Sequence, residues 1–220
     1  MQHQIKIAPS LLSADFGNLQ KDIKLCEEGG ADILHLDIMD GHFVPNITFG
    51  PIMLKYIRKY SQMPVSTHLM IAKPDEYIPQ FAELGSEMIS FHAEAVPHIH
   101  RSLSFIRSFG KKAGIALNPV TPIEYAFEAA EYCDFILLMT VNPGFGGQKF
   151  IPNYFARVEK LKNFLIKNGL EHIEIEVDGG VKIENCKSVS DAGANILVSG
   201  SGIFSGDIVQ NLIAMRKALE

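Results

Sequence analysis

The 220-residue chain has few cysteines and no pattern that would pair them. Its three cysteines, Cys26, Cys133 and Cys186, lie far apart and lack the spacing of a zinc module or a disulfide framework. An odd number of cysteines without a signal peptide is typical of reduced thiols in the cytoplasm. We therefore expect a cytoplasmic protein whose cysteines are inert packing residues.

The sequence also lacks long apolar runs, an excess of basic residues and low-complexity segments. No apolar run reaches the roughly 20 residues that span a bilayer, so we expect no membrane segment. A formal net charge of −5 argues against a general nucleic-acid surface. An anionic small substrate is still compatible with this charge, because backbone N–H groups can bind phosphate locally. Without linkers, the chain is predicted to form one domain over residues 1–220.

What the sequence does contain is a regular alternation of short β-branched runs and amphipathic stretches. The predicted strands are Ile5–Pro9, Ile33–Ile38, Val65–Leu69, Met88–His92, Ala113–Leu117, Phe135–Thr140, Ile173–Val177 and Ile196–Ser199. The predicted helices are Leu19–Glu28, Ile52–Tyr60, Pro74–Leu84, Ile99–Phe109, Pro122–Glu131, Phe155–Lys167, Glu184–Ala192 and Asp207–Leu219. Eight βα units of this size predict an α/β protein, a single (β/α)8 TIM barrel.

A doubly wound open sheet is the alternative architecture. It fits less well, because polar residues lie at the ends of all eight predicted strands instead of clustering at one switch point. These residues are Ser10, Asp37, His68, His92, Asn118, Thr140, Asp178 and Ser199. In a barrel they would share the carboxyl-terminal face, where active sites of such barrels lie.

Histidine and aspartate occur together at these strand ends. His35 and Asp37 lie two residues apart, so in a strand their side chains point to the same face. His68 lies at the end of the third strand, and Asp178 follows the seventh. If these strands belong to one barrel, the four side chains can meet at its mouth. Two imidazoles and two carboxylates make a mixed nitrogen and oxygen metal site.

The two aspartates of this set can also carry protons. Asp37 and Asp178 would come from opposite sides of the barrel mouth, which suits a reaction with one base on each face of a planar intermediate. A metal between them would neutralise their mutual repulsion and polarise a substrate carbonyl or hydroxyl.

Two further polar residues are expected near this set. His92 ends the fourth strand without an acidic neighbour at matching parity, and we interpret it as a structural or supporting residue. Glu176 shares a face with Asp178 but lies deeper, so it should be a buried carboxylate with a polar partner. The sequence does not identify that partner.

Three methionines fall at the predicted mouth. Met39 and Met70 follow the ligands at two-residue spacing, and Met139 ends the sixth strand. Methionine is normally core filler. At a site mouth, three of them could instead form a polarizable, water-poor collar that favours a carbanion-like intermediate.

Glycine-rich segments follow the last three strands. In VNPGFGGQK, Gly144, Gly146 and Gly147 allow several N–H groups to turn toward an anion. Gly179 and Gly180 follow Asp178, and Gly200 and Ser201 could head a short helix after strand eight. No Lys or Arg is obviously placed to help, so backbone donors must dominate a predicted phosphate site. The loop around Phe145 is long enough to act as a lid.

Several long motifs make the chain resemble the ribulose-phosphate 3-epimerase family over essentially its whole length. The matching stretches are APSLLSADF at Ala8–Phe16, LDIMDGHFVPN at Leu36–Asn46, THLM at Thr67–Met70, MTVNPGFGGQ at Met139–Gln148, EVDGG at Glu176–Gly180 and VSGS at Val198–Ser201. The resemblance implies a metal-dependent isomerase of the pentose phosphate pathway that interconverts D-ribulose 5-phosphate and D-xylulose 5-phosphate through a cis-enediolate.

The resemblance also assigns roles to residues. One divalent ion per subunit would bind His35, Asp37, His68 and Asp178. The family favours zinc, although the ligand types also permit iron, manganese or cobalt. Asp37 would accept the proton and Asp178 would donate one, with roles that exchange with reaction direction. The implied substrate contacts are Ser10, His68 and Asp178 near the reacting carbons, and Gly144, Phe145, Gly146, Gly147, Gly179, Gly180, Gly200 and Ser201 at the phosphate. Members of the family tend to form homo-oligomers.

Three other functions remain open at this point. An epimerase for D-allulose 6-phosphate would use the same site with a longer sugar. A metal-free decarboxylase or aldolase-type lyase would need a lysine near the acids, and no predicted strand end offers one. A non-catalytic sugar-phosphate binding protein would not require two opposed aspartates.

Overall fold

The computed structural model describes residues 4–220, so residues 1–3 of the predicted domain lie outside the described part. Its strands are β1 (Lys6–Pro9), β2 (Leu34–Met39), β3 (Val65–Met70), β4 (Met88–His92), β5 (Lys112–Leu117), β6 (Phe135–Met139), β7 (Glu174–Asp178) and β8 (Ile196–Ser199). Its helices are α1 (Leu19–Glu28), α2 (Pro51–Ile57), α3 (Ile78–Glu83), α4 (Ile99–Ser108), α5 (Glu124–Ala129), α6 (Tyr154–Lys167), α7 (Ile183–Ala192), α8 (Ser201–Phe204) and α9 (Ile208–Leu219).

The eight strands found in residues 4–220 are parallel and follow the order β1-β8-β7-β6-β5-β4-β3-β2 around one sheet. The remaining edges, β1 and β2, meet through a single bridge between Ser10 and His35. The predicted (β/α)8 barrel is therefore confirmed, and the open doubly wound sheet is excluded because β1 pairs with β8. Each predicted strand begins and ends within one residue of the observed one.

The helix predictions need more correction. The predicted helix at Pro74–Leu84 is wrong as one element, because Pro74–Glu76 forms a separate 3-10 turn before α3. Pro79 has no N–H to donate into a helix that started at Pro74, so the chain restarts its helix at Ile78. The segment after β8 contains α8, a four-residue helix that begins at Ser201 as the glycine pattern predicted.

A hydrophobic layer between strands and helices holds the barrel. α6 illustrates it, because Tyr154, Val158, Leu161 and Leu165 repeat at helical spacing and are all buried. A separate small cluster that includes Ala8, Met88, Phe135 and Ile196 comes from the alternate strand positions and fills the barrel interior. No helix in the described residues is long and apolar enough to cross a membrane.

At the amino ends of the strands, the same pair of hydrogen bonds between neighbouring strands occurs four times. A residue one or two positions before each even-numbered strand donates its backbone N–H to the preceding strand and accepts that strand's N–H with its side chain. In these four hydrogen bonds of 2.7 to 2.8 Å, a backbone N–H donates to a side-chain oxygen: Ile7 to Asp32, Val65 to Glu87, Ala113 to Asp134 and Ile175 to Asn195. At the β1–β2 seam this pair supplies hydrogen bonds that the sheet ladder lacks.

Candidate active site

The strand register brings the predicted ligands together at the carboxyl ends. Asp37 lies directly beside His68 in the pairing of β2 with β3. His35 lies on the same face as Asp37, as the two-residue spacing predicted. Asp178 ends β7, beside Met139 of β6. The side chains of His35, Asp37 and His68 are buried, whereas Asp178 is slightly open to solvent.

One ligand atom from each of His35, Asp37, His68 and Asp178 lies within 4.8 Å of all the others. The Asp37 carboxylate lies 3.3 Å from His35 Nε2 and 3.1 Å from His68 Nδ1. Asp178 Oδ2 lies 4.0 Å from His35 Nε2 and 3.6 Å from His68 Nδ1. Tetrahedral ligands at ~2.0–2.1 Å from zinc are roughly 3.4 Å apart, so the four side chains fit a metal ion.

The charges of this cluster favour an ionised Asp37. Burial works to raise the pKa of Asp37, but His35 and His68 outweigh it and hold the pKa well below the usual value. Burial also works to lower the pKa of His35, which Asp37 and Glu176 raise well above its usual range. The carboxylates thus attract protons onto the histidines, and a metal ion would compete with those protons for the same nitrogens.

The partner of Glu176 is His35. Both side chains are completely buried, and Glu176 Oε1 lies 3.1 Å from His35 Nδ1. The expectation of a buried carboxylate with a polar partner is therefore confirmed. Because Nδ1 faces Glu176, His35 directs its other nitrogen, Nε2, toward the two aspartates, as in carboxylate–histidine–metal arrangements.

His92 has an acidic partner that the sequence interpretation missed. The statement that no acid lies at matching parity is wrong, because Glu94, two residues on in a 3-10 turn, places Oε2 3.2 Å from His92 Nδ1. The other nitrogen of His92, Nε2, lies 2.9 Å from Nε2 of His68. Burial lowers the pKa of His92 to about 4.

A cleft lies above the cluster and encloses about 520 Å³ when the part open to solvent is counted. Its lining includes the predicted contacts Ser10, Asp178, Gly144, Phe145, Gly146, Gly147, Gly179, Gly180, Gly200 and Ser201. His68 does not line the cleft and is completely buried below it. Residues that the sequence reasoning missed include Leu12 and Ser13, which follow β1. Their only sequence signal was their place in the motif after Ser10.

The glycine segments after β6, β7 and β8 all reach this cleft. Gly180 is required by geometry, because its φ is +66° and a Cβ atom would lie 2.7 Å from the backbone nitrogen of Phe150. Within residues 4–220, the side chains that line the cleft include no lysine or arginine. Anion binding here would therefore depend on backbone N–H groups, and a lyase mechanism with a cleft lysine loses its support.

The three predicted methionines also line the cleft. Met39 and Met70 pair across β2 and β3, and Met139 neighbours Asp178 across β6 and β7. All three are almost completely buried. They line the same cleft as Asp37 and Asp178, and the water-poor collar predicted for them stays a prediction.

The loop after β6 is tied to the loop after β2. Asn46 Nδ2 donates a 2.7 Å hydrogen bond to the carbonyl of Gly144. Gln148 bonds within the same loop, to the carbonyl oxygens of Asn142 and Phe145. Phe145 itself is about half exposed, and its loop covers one side of the cleft. The lid motion predicted for this loop stays a prediction.

Comparison with other sequences gives one consistent result. The model of the Ribulose-phosphate 3 epimerase family matches residues 6–204. The ribulose-phosphate 3-epimerase of Bacillus subtilis is 50% identical over 200 residues, covering 91% of this chain and 92% of the relative. The ribulose-phosphate 3-epimerase of Synechocystis is 47% identical over 216 residues, covering 97% and 94%. That of Escherichia coli is 45% identical over 202 residues, covering 91% and 89%.

Solved structures support the barrel fold alone, because their sequences are distant. A mutant tryptophan synthase alpha-subunit from Pyrococcus furiosus has a TM-score of 0.72 at 17% identity, covering 100% of this chain and 99% of that one. A 3-hexulose-6-phosphate synthase has a TM-score of 0.69 at 17% identity, covering 99% and 100%.

Proposed function

Because the chain belongs to the Ribulose-phosphate 3 epimerase family and is an isomerase, we propose that it interconverts D-ribulose 5-phosphate and D-xylulose 5-phosphate. The observation that carries this proposal is the convergence of two carboxylates and two imidazoles below a cleft lined by glycine. A two-base epimerisation needs both acids at one carbon atom, and a sugar phosphate needs an anion site at a fixed distance from them.

We propose that the backbone N–H groups after β6, β7 and β8 hold the phosphate. Gly144 to Gly147, Gly179, Gly180, Gly200 and Ser201 would fix one end of the substrate. The sugar then extends toward Ser10, Asp37 and Asp178, which line the same cleft. Substrate orientation of this kind brings carbon 3 to the carboxylates before any proton moves.

Asp37 and Asp178 would exchange the protons. In one direction Asp37 removes the proton from carbon 3 and leaves a planar cis-enediolate, and Asp178 returns a proton to the opposite face. In the other direction the roles exchange. Ser10 donates a 2.6 Å hydrogen bond to Asp37 Oδ2, which fixes the orientation of that carboxylate. The buried methionines Met39, Met70 and Met139 would exclude water from the intermediate.

We further propose one divalent metal ion per subunit, held by His35, Asp37, His68 and Asp178. When bound, it would supply Lewis-acid polarisation of the ketone oxygen and offset the negative charge of the enediolate. Zinc is the first choice, and iron, manganese or cobalt would also suit these ligands.

Three properties of the protein in the cell complete the proposal. The enzyme would act in the pentose phosphate pathway in the cytoplasm, and its subunits would assemble into a homo-oligomer. Family membership supports the pathway and the assembly, and the three unpaired cysteines support the compartment. Light scattering of the purified chain would test the assembly, and a mass equal to one subunit would contradict it.

The deciding experiment measures conversion of D-ribulose 5-phosphate in deuterated water. We expect conversion with deuterium appearing at carbon 3, and loss of activity after chelation that is restored by added metal. D-Allulose 6-phosphate serves as the competing substrate and should react more slowly. Absence of both conversion and deuterium at carbon 3 would contradict an epimerase and favour a sugar-phosphate binding protein.

A further inference from the structure

A chain of polar side chains leads away from His68 on the side opposite the carboxylates. His68 Nε2 lies 2.9 Å from His92 Nε2, and His92 Nδ1 lies 3.2 Å from Glu94 Oε2. The His92 side chain is completely buried, and its ring packs against Phe43 at 4.7 Å between centroids. These contacts hold the ring in one orientation, with one nitrogen toward each neighbour.

Glu94 determines which nitrogen of His92 carries a proton. Burial works to raise the pKa of Glu94, but hydrogen bonds from His92, Thr121 and Asn118 lower it to about 2, so the group is an acceptor at neutral pH. His92 must therefore donate from Nδ1. With the proton of the neutral ring on Nδ1, Nε2 of His92 has a lone pair, and it faces Nε2 of His68.

The proton between the two rings then belongs to His68. Two N–H groups cannot face each other at 2.9 Å, and His92 Nε2 is an acceptor, so His68 Nε2 is the donor. When a cation displaces the proton that the carboxylates favour on Nδ1, His68 keeps its proton on Nε2 and has a lone pair on Nδ1. That nitrogen lies 3.1 Å from Asp37 Oδ1 and 3.6 Å from Asp178 Oδ2, at the place of the candidate metal.

We propose that His92 and Glu94 are positioning residues, which fix His68 in the Nδ1-ligating tautomer and thereby raise the affinity of the site for a divalent cation. The inference rests on the proposed function, because it requires that His68 binds the metal. It assigns a role to two residues outside the ligand set. The role resembles that of Glu176 at His35, but it reaches the ligand through a second histidine.

The test measures affinity for Zn²⁺ by competition with a chelator, together with the visible spectrum of the Co²⁺-loaded chain. His92→Leu removes the acceptor for His68, and we expect Zn²⁺ affinity to fall ~10–100-fold with a changed Co²⁺ spectrum. His92→Gln offers an amide oxygen in place of Nε2 and should restore much of the affinity. Glu94→Ala should weaken binding in the same direction as His92→Leu.

Thr121→Val is the matched control. Thr121 Oγ1 donates to Glu94 Oε1, the oxygen that does not face His92. This variant alters the surroundings of Glu94 without removing the acceptor for His92, and we expect wild-type Zn²⁺ affinity. A thermal melt of each metal-free variant separates a loss of folding from a loss of metal binding.

The outcomes are distinct. Wild-type Zn²⁺ affinity in folded His92→Leu would overturn this inference and leave the proposed function intact. If His92→Leu does not fold, Glu94→Ala decides, because the Glu94 side chain is 25% exposed and tolerates truncation better. Failure of the wild-type chain to bind Zn²⁺ or Co²⁺ would overturn the proposed metal site and this inference with it.

Discussion

Asp37 is almost completely buried and negatively charged, and its polar neighbours stabilise that charge. Ser10 donates to one carboxylate oxygen, and His35 and His68 lie against the other. A buried charge of this kind is stable only with such partners. Asp178 approaches the same histidines from the opposite side of the barrel and stays in contact with the cleft.

At the scale of single residues, the clearest prediction concerns these two acids. Asp37→Asn and Asp178→Asn keep the side-chain shape but remove the proton acceptor, so we expect kcat to fall by at least ~10²–10⁴-fold in each. Steady-state rates on D-ribulose 5-phosphate give the measurement. Near-normal turnover in either folded variant would show that the proton passes through another group.

For the other residues of the site, the sequence shows which residue types are present but only some of the contacts they make. The spacing of His35 and Asp37 predicts that their side chains lie on the same face of the strand, because side chains two residues apart in a strand point the same way. The partnership of His92 with Glu94 was missed, because Glu94 belongs to a turn after β4 and strand parity does not apply there. The contact between Glu176 and His35 joins β7 to β2 across the barrel, and no local pattern encodes it.

At the scale of elements, the four pairs of hydrogen bonds at the amino ends of the strands tie each odd-numbered strand to the next. Three of the four side chains are carboxylates that also pair with an arginine: Asp32 with Arg216, Glu87 with Arg58 and Asp134 with Arg107. The fourth, Asn195, is an uncharged amide and still accepts from Ile175. The hydrogen bond to the strand is thus the shared feature, and the ion pair is additional.

This comparison predicts different costs for two variants of Asp134. Asp134→Ala leaves the buried N–H of Ala113 without its acceptor and should lower the free energy of unfolding by ~1–3 kcal/mol. Asp134→Asn keeps an acceptor and loses a half-exposed ion pair with Arg107, which should cost under ~1 kcal/mol. Urea denaturation of both variants provides the check. Equal losses would mean that the ion pair, not the hydrogen bond, stabilises this junction.

The loop after β6 yields a second element-scale prediction. Asn46→Ala removes the hydrogen bond to the Gly144 carbonyl, so the loop should open more often. We expect KM for D-ribulose 5-phosphate to rise ~5–10-fold, the equivalent of about one hydrogen bond, with a smaller change in kcat.

Hydrogen exchange at residues 144–147 tests the same loop directly. Exchange should be faster in Asn46→Ala than in the wild type, and substrate should slow it in both. Gln148→Ala is the comparison variant, because both hydrogen bonds that the Gln148 amide donates stay within its own loop. If neither the substitution nor substrate changes the exchange rate at residues 144–147, the loop is not a lid.

At the scale of the whole molecule, one charge cluster connects distant strands. Glu174 at the start of β7 pairs with Lys6 of β1 and Lys112 of β5, on the floor opposite the cleft. Burial works to raise the pKa of Glu174, but the two lysines outweigh burial and lower it below 4.5. A lowered pKa in the folded state adds stability above the unfolded pKa, and this stability is lost as the pH falls through the folded value.

Glu174→Gln should therefore destabilise the protein by about 1 kcal/mol near pH 7, and by progressively less as the pH falls below 4.5. Urea unfolding between pH 3 and pH 7 measures the difference. The same substitution at Glu131, which is exposed, should change stability little at any pH. A difference between wild type and Glu174→Gln that does not depend on pH would contradict the role of this charge.

We also propose that residues 1–220 form one domain. The hydrophobic layer runs through strands and helices from both ends of the chain, and α9 packs against α1 and α7. One shared core of this kind should unfold in one cooperative transition. Two separate transitions for the metal-free chain would contradict the proposal.

The sequence by itself determined the barrel, its strands and the types of residue at the mouth. Period-two and period-3.6 patterns are local consequences of backbone geometry, so they can be read without knowing what each element touches. The α3 boundary was the main local error, and it too has a local cause, the prolines at positions 74 and 79.

Only the tertiary structure decided which atoms meet. Closure of the sheet brings β2, β3 and β7 around one axis, and this turns four separate side chains into a set of ligands within 4.8 Å of one another. The same closure adds Glu176 behind His35, and His92 with Glu94 behind His68. Hydrogen-bond partners between strands depend on register and on ring orientation, and packing of the whole barrel fixes both.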